Sequence, residues 1–113
     1  MSAHEDVSRD PWLSIYAALK IPTATLPPTP SSLADRVALH AGKHPSHPAL
    51  EYLGVTLSYG ELDLWANRMA AVLREHGITR GDVIGVHLPN TPQYLIALVA
   101  AAKLGAVISG VSP

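Results

Sequence analysis

By type and spacing, the residues of this 113-residue chain best suited to chemistry are three histidines, His40, His44 and His47. Imidazoles four residues apart on one helix face can share a zinc ion. Gly42, however, is placed to end a helix between His40 and His44, and Pro45 forces its surroundings into extended geometry. No carboxylate or cysteine stands within the loop to complete a tetrahedral shell, so these histidines read as a solvated loop. His87 lies in an apolar run and reads as a satisfied core histidine rather than a base. Ser58 and Glu61 have capping-box spacing, in which the hydroxyl takes the amide three residues on and the carboxylate returns to the serine amide. Glu61 is therefore assigned to capping and not to acid–base work. Asp82 follows a turn and reads as a surface residue.

Other chemistries are excluded by what the chain lacks. There is no cysteine, hence no disulfide framework, thiolate metal site or cysteine nucleophile. The serines share no face or loop with a histidine and an acid, and no G-x-S-x-G elbow occurs. Neither G-x-x-x-x-G-K-[ST] nor G-x-G-x-x-G occurs, so no phosphate cradle can be built. No residue is assigned as catalytic, cofactor-binding or metal-ligating.

The elements that would position a site are legible. Residues 1–30 read as a tail, frayed over 1–9, followed by a short helix and a Pro-rich strap. Asp10-Pro11 resembles an N-cap with proline at the first helical position, and Trp12, Ile15, Tyr16 and Leu19 follow at helical spacing, with Pro22 as the stop. Ile21 to Pro30 holds four prolines and no charge, which suits an extended strap. Residues 31–113 read as one further unit. Ser32 and Asp35 cap a second helix with Leu33, Val37 and Ala41 on one face, and Gly42 is its stop. Ala49–Leu53 and Val55–Ser58 form a hairpin about Gly54. Leu62, Trp65, Ala66, Met69, Ala70 and Leu73 make an apolar stripe on a long helix closed by Gly77, with Asp63, Asn67, Arg68, Arg74 and Glu75 opposite. Thr79 to Asp82 is a turn. Asp82–Leu88 reads as a strand covered on both faces. Thr91 then caps a helix with Pro92 at its first position; Gln93 to Leu104 is apolar nearly all round, Gly105 stops it, and Ala106–Val111 is a second buried strand. Strand, helix, strand is a βαβ unit with parallel strands. The fold class expected is α/β: the start of a doubly wound, mostly parallel sheet, an incomplete βαβ unit preceded by a small hairpin and amphipathic helices. Two parallel strands make no stable sheet alone, so the chain reads like a domain cut off at its second strand.

Composition narrows the partners. Hydrophobic content of 48% suits a packed core, and a net charge of −1 leaves no footprint for nucleic acid or an anionic membrane. Trp12, Trp65 and the tyrosines are spaced for packing, not as a base-stacking platform. No basic start with an apolar run marks a secretory signal. Tyr94 to Val111 is long enough for a bilayer span, but Lys103 interrupts it, and a buried helix and strand account for it better. The expected location is the cytoplasm, at most peripheral to a membrane.

Leu57 to Pro113 resembles the opening of adenylate-forming (AMP-binding) enzymes. The matching pieces are Ser58-Tyr59-Gly60-Glu61-Leu62, Asn67-Arg68-Met69-Ala70, Gly81-Asp82, Leu88-Pro89-Asn90 and Lys103-Leu104-Gly105-Ala106 before a final proline. His44-Pro45 with Pro48-Ala49-Leu50 resembles the family's loop into its first strand. Pro11-Trp12-Leu13 with Tyr16 resembles the leading segment of long-chain fatty acyl-CoA synthetases. The resemblance implies that residues 31–113 are the N-terminal part of an AMP-binding synthetase domain. It also implies a full enzyme that joins a fatty or other carboxylic acid to AMP using ATP and Mg, then transfers the acyl group to coenzyme A. The family's Ser/Thr/Gly-rich loop ending in Lys, Tyr-Gly-x-Thr-Glu segment, ribose-binding Asp and C-terminal Lys have no counterpart here. The fragment alone is thus expected to be inactive, with the remainder of the synthetase covering the open sheet edge. An aryl-acid ligase, a peptide-synthetase adenylation domain and a non-catalytic module docking through that edge are the alternatives.

Overall fold

A computed structural model describes residues 10–22 and 31–113. The tail over residues 1–9 and most of the Pro-rich strap, residues 23–30, lie outside the described residues. The chain runs α1 (Trp12–Ala18), α2 (Leu33–Lys43), β1 (Pro48–Tyr52), β2 (Val55–Ser58), α3 (Tyr59–Glu75), β3 (Val83–Val86), α4 (Pro92–Leu104) and β4 (Val107–Gly110). This is the mixed α/β architecture expected from the sequence.

The short helix begins and ends differently from expectation. Pro11, not Asp10, holds the N-cap position of α1, and no side-chain cap bond is made there. The Asp10 carbonyl instead accepts the Leu13 amide at 3.0 Å. The helix closes before Pro22. Lys20 turns to φ +55°, and the amides of Ile21 and Lys20 donate to the carbonyls of Tyr16 (2.8 Å) and Ala17 (3.2 Å), the bond pair of a Schellman closure.

In α2, Ser32 and Asp35 form the expected capping box, with the Asp35 amide donating to Ser32 Oγ at 3.1 Å and the Ser32 amide to Asp35 Oδ2 at 2.9 Å. The buried residues are Ala34 and Val37; Leu33, assigned to the covered face, is exposed. Gly42 does not end the helix. The helix continues to Lys43, the His44 amide still donates to the His40 carbonyl at 2.7 Å, and Pro45 restricts the residue before it.

The hydrogen bonds from Ser32, first from its backbone amide and then from its side chain, hold the Asp35 carboxyl below the ordinary aspartate range, aided by Lys103. The sign follows. A carboxyl with a lowered folded pKa contributes stability that is present above its unfolded value and is lost as pH falls through the folded value. Raising the pH from about 2.5 to 5 should therefore stabilise the wild-type chain more than Asp35→Asn, as read from paired thermal melts. Equal gains would remove the capping carboxylate from the acid response.

The hairpin turn is Leu53-Gly54, both left-handed at φ +48° and +80°, so Leu53 belongs to the turn and not to the first strand. β1 and β2 pair antiparallel with an irregularity between Pro48 and Leu50. Next, α3 starts with the Ser58–Glu61 box, bonded at 3.2 and 2.9 Å. The β2–α3 junction is also latched to the histidine loop, since the amides of Tyr59 and Gly60 donate to the carbonyls of His47 and Pro45 at 2.9 Å each. A Cβ at Gly60 would lie 3.1 Å from that Pro45 oxygen, so the close approach depends on glycine.

The core lies among three helices. Val37 of α2, Leu62 and Ala66 of α3 and Val99 of α4 form the buried cluster, with Ala49, Leu57, Leu95 and Ile96 packed around it. β3 and β4 pair in parallel, Val83 with Val107 through Val86 with Gly110, and α4 packs on both. These strands are shorter than expected and covered on one face: Val86 is buried and Ile84 half-buried, whereas Val83, Gly85 and Val107 are exposed. His87 follows β3 and is exposed, which corrects its reading as a core residue. Similarly, α4 is fully buried only at Val99, Ala100 and Ala101. Thr91 occupies its N-cap, but Oγ1 makes no cap bond and is buried without a partner. The Thr91 carbonyl accepts the Tyr94 amide at 3.0 Å, the first backbone bond of the helix. Among the described residues, no helix is long and apolar enough to cross a membrane.

Candidate functional site

The histidines do not converge. His40 faces the Tyr59 ring at 5.1 Å between centroids, and His44 stacks on His47 at 4.6 Å. Among the described residues, no three His, Cys, Asp or Glu side chains gather where a metal could sit. Glu61 and Asp82 are spent on backbone: Glu61 on its cap, and Asp82 Oδ2 on the Thr79 amide (2.7 Å) and hydroxyl (3.1 Å).

What the fold does build is an apolar groove of about 630 Å³ where β2, α3 and the start of α4 meet. Its walls include Leu57, Trp65, Met69, Val72 and Ile96. Trp65 and Met69 were assigned to the core stripe, yet Trp65 is 47% exposed. The long helix carries two apolar rows. Leu62, Ala66 and Ala70 face α2 and α4, whereas Trp65, Met69 and Val72, spaced i, i+4 and i+7, face the groove. A stripe that wide is the sequence signal for a second covered face. The Arg68 guanidinium lies 5.0 Å from the Trp65 ring centroid at its rim, a cation–π distance.

Sequence reasoning also missed a charged link behind the groove. Asp63, placed on the solvent side, accepts a hydrogen bond from Lys103 Nζ at 2.6 Å, with both side chains about four-fifths covered. This pair ties α3 to α4 and explains how a lysine sits within the apolar run. A smaller cleft of about 320 Å³ lined by Asn67, Arg74 and Lys103 lies alongside. Neither hollow offers a set of groups for ATP with magnesium: the larger groove is apolar, and in the cleft Lys103 is paired with Asp63, which leaves Arg74 alone to meet a triphosphate.

Residues 37–113 match the profile of the AMP-binding enzymes. The chain belongs to that family. Within the AMP-binding family it is similar to the acetyl-coenzyme A synthetase of Emericella nidulans, 38% identical over 76 residues, which covers 62% of this chain and 11% of the relative. It is also similar to surfactin synthase subunit 3 of Bacillus subtilis, 40% identical over 70 residues, covering 62% of this chain and 6% of that one. The N-terminal subdomain of NpsA from Klebsiella oxytoca superposes with a TM-score of 0.68 at 26% identity, over 72% of this chain and 21% of the other. The chain thus spans about a tenth or less of the length of these two curated relatives. The matched residues 37–113 include the Ser58–Glu61 cap, the rows of α3 and the βαβ unit.

Proposed function

We propose that this chain forms the N-terminal scaffold of an ATP-dependent acid-activating enzyme of the AMP-binding family. In the activity proposed for the whole enzyme, a carboxylate oxygen attacks the α-phosphorus of ATP and pyrophosphate leaves. A thiol then attacks the acyl carbon and AMP departs. The mixed anhydride is needed because AMP is a far better leaving group than the oxide of a carboxylate. The observation that carries this reading is the continuous family match over residues 37–113, on a fold whose named residues cap, pack and turn.

The thiol proposed is that of coenzyme A, as the acetyl-coenzyme A synthetase similarity suggests. The leading segment Pro11-Trp12-Leu13 with Tyr16 favours a fatty acid as substrate. Similarity to surfactin synthase subunit 3 favours a second reading, a peptide-synthetase adenylation domain. ATP, Mg and coenzyme A belong to the whole enzyme, and no step is routed through the residues described. The proposed location is the cytoplasm or the surface of a membrane.

ATP–pyrophosphate exchange separates these readings. An intact protein containing this sequence should exchange label with a fatty acid and not with amino or aryl acids, whereas the 113 residues alone should show none. Exchange driven by an amino or aryl acid would replace the fatty-acid assignment. Exchange by the 113-residue chain would show that the scaffold role is wrong.

A further inference from the structure

The groove described above is open, and α1 carries an apolar row that is partly exposed. Trp12, Ile15, Tyr16 and Leu19 are between 38% and 65% exposed, and α1 has no buried residue. They are spaced i, i+3, i+4 and i+7, the anchor pattern with which an amphipathic helix enters an apolar groove. We propose that α1 is the groove's occupant, its four-residue row folding back onto Leu57, Trp65, Met69, Val72 and Ile96.

Three points favour this segment over a second copy of the chain. First, both faces are apolar and both are uncovered: Trp12, Ile15 and Leu19 on one side, Trp65, Met69 and Val72 on the other. Second, the tether reaches. Pro22 to Ser31 is nine steps, or about 30 Å extended at ~3.3 Å each. The 11-residue α2 is about 16 Å long and packs against α3, with helix axes ~8–10 Å apart, so the groove face of α3 lies within reach of Ser31. Third, a tether of this length holds α1 near the groove at millimolar effective concentration, well above what a second copy attains in dilute solution.

The chain has no cysteine, which makes the test direct. In the 113-residue chain, Ile15→Cys is combined with Met69→Cys in the groove, or with Leu39→Cys, which is exposed on α2 and outside the groove. A docked α1 brings the first pair within disulfide distance, so its intramolecular bond should form about tenfold faster than the second. Equal rates for the two pairs would overturn the proposal, as would a product linked between two chains, which would make a second copy the occupant. Should either variant misfold, the unmodified chain decides. Nuclear Overhauser contacts between the Trp12 indole and the methyl groups of Met69 or Val72 are expected, and their absence overturns docking. Neither readout depends on the enzymatic activity proposed above.

Discussion

Leu62→Ala should lower the unfolding free energy of this chain by about 2–5 kcal/mol, while the same substitution at Leu64 should change it by less than about 0.5 kcal/mol. The two leucines lie on one helix two residues apart, and share propensity and chemistry. They differ in what surrounds them: Leu62 is 2% exposed in the cluster of α2, α3 and α4, and Leu64 is 47% exposed. Truncating Leu62 removes buried methyl groups and leaves a void that neighbours fill only in part. Small domains hold only ~5–15 kcal/mol of stability, so this loss is a large share of the total. With a urea slope of ~1–3 kcal/mol per molar, the midpoint should fall by at least about 0.7 M. Equal midpoints for the two variants would place the core elsewhere than among these helices.

The opposite error of volume should be nearly as damaging at Ala66. This residue is 0% exposed between Leu62 and Val99, and its small side chain lets the helices approach. Ala66→Leu adds three carbons where close packing leaves no room, which costs ~1–3 kcal/mol through displaced rotamers and backbone shifts. Adding Val99→Ala, which frees volume in the same cluster, should recover part of that loss, since contacting positions couple by ~0.5–3 kcal/mol. Denaturation of the single and double variants measures this. Strictly additive losses would mean that residues 66 and 99 do not share one packing site.

Both substitutions act on the helix that walls the groove, because Leu62 and Ala66 lie beside Trp65 and Met69 on one wide apolar stripe of α3. A domain loosened at Leu62 should therefore also lose the rigid wall against which α1 is proposed to pack. The latch from Gly60 to Pro45 and the pair from Lys103 to Asp63 fix the same helix at its start and against α4.

Features that depend on near neighbours along the chain were legible before the fold was known. Ser32 with Asp35 and Ser58 with Glu61 are capping boxes because the spacing of three residues alone brings hydroxyl, carboxylate and amides together. Gly77 and Gly105 take the left-handed conformation after α3 and α4, as glycine does where a helix must turn back. The order of strand, helix and strand followed from periodicity, and the motifs from Ser58 to the final proline pointed to the family. What covers each face is set by how distant segments pack. Trp65 and Leu62 look alike in a helical stripe, but the direction of α2 and α4 buries one and leaves the other lining a groove. His87 and Val83 sit in an apolar run that reads as buried on both sides, yet α4 covers a single face of β3 and β4. Asp63 looks like a solvated acid until α4 brings Lys103, forty residues on, to 2.6 Å. Gly42 looks like a stop, but hydrogen bonding in α2 carries through it until Pro45 forbids another turn. Local hydrogen bonds are encoded in short spacings, whereas burial depends on packing between distant segments, which no window of sequence contains.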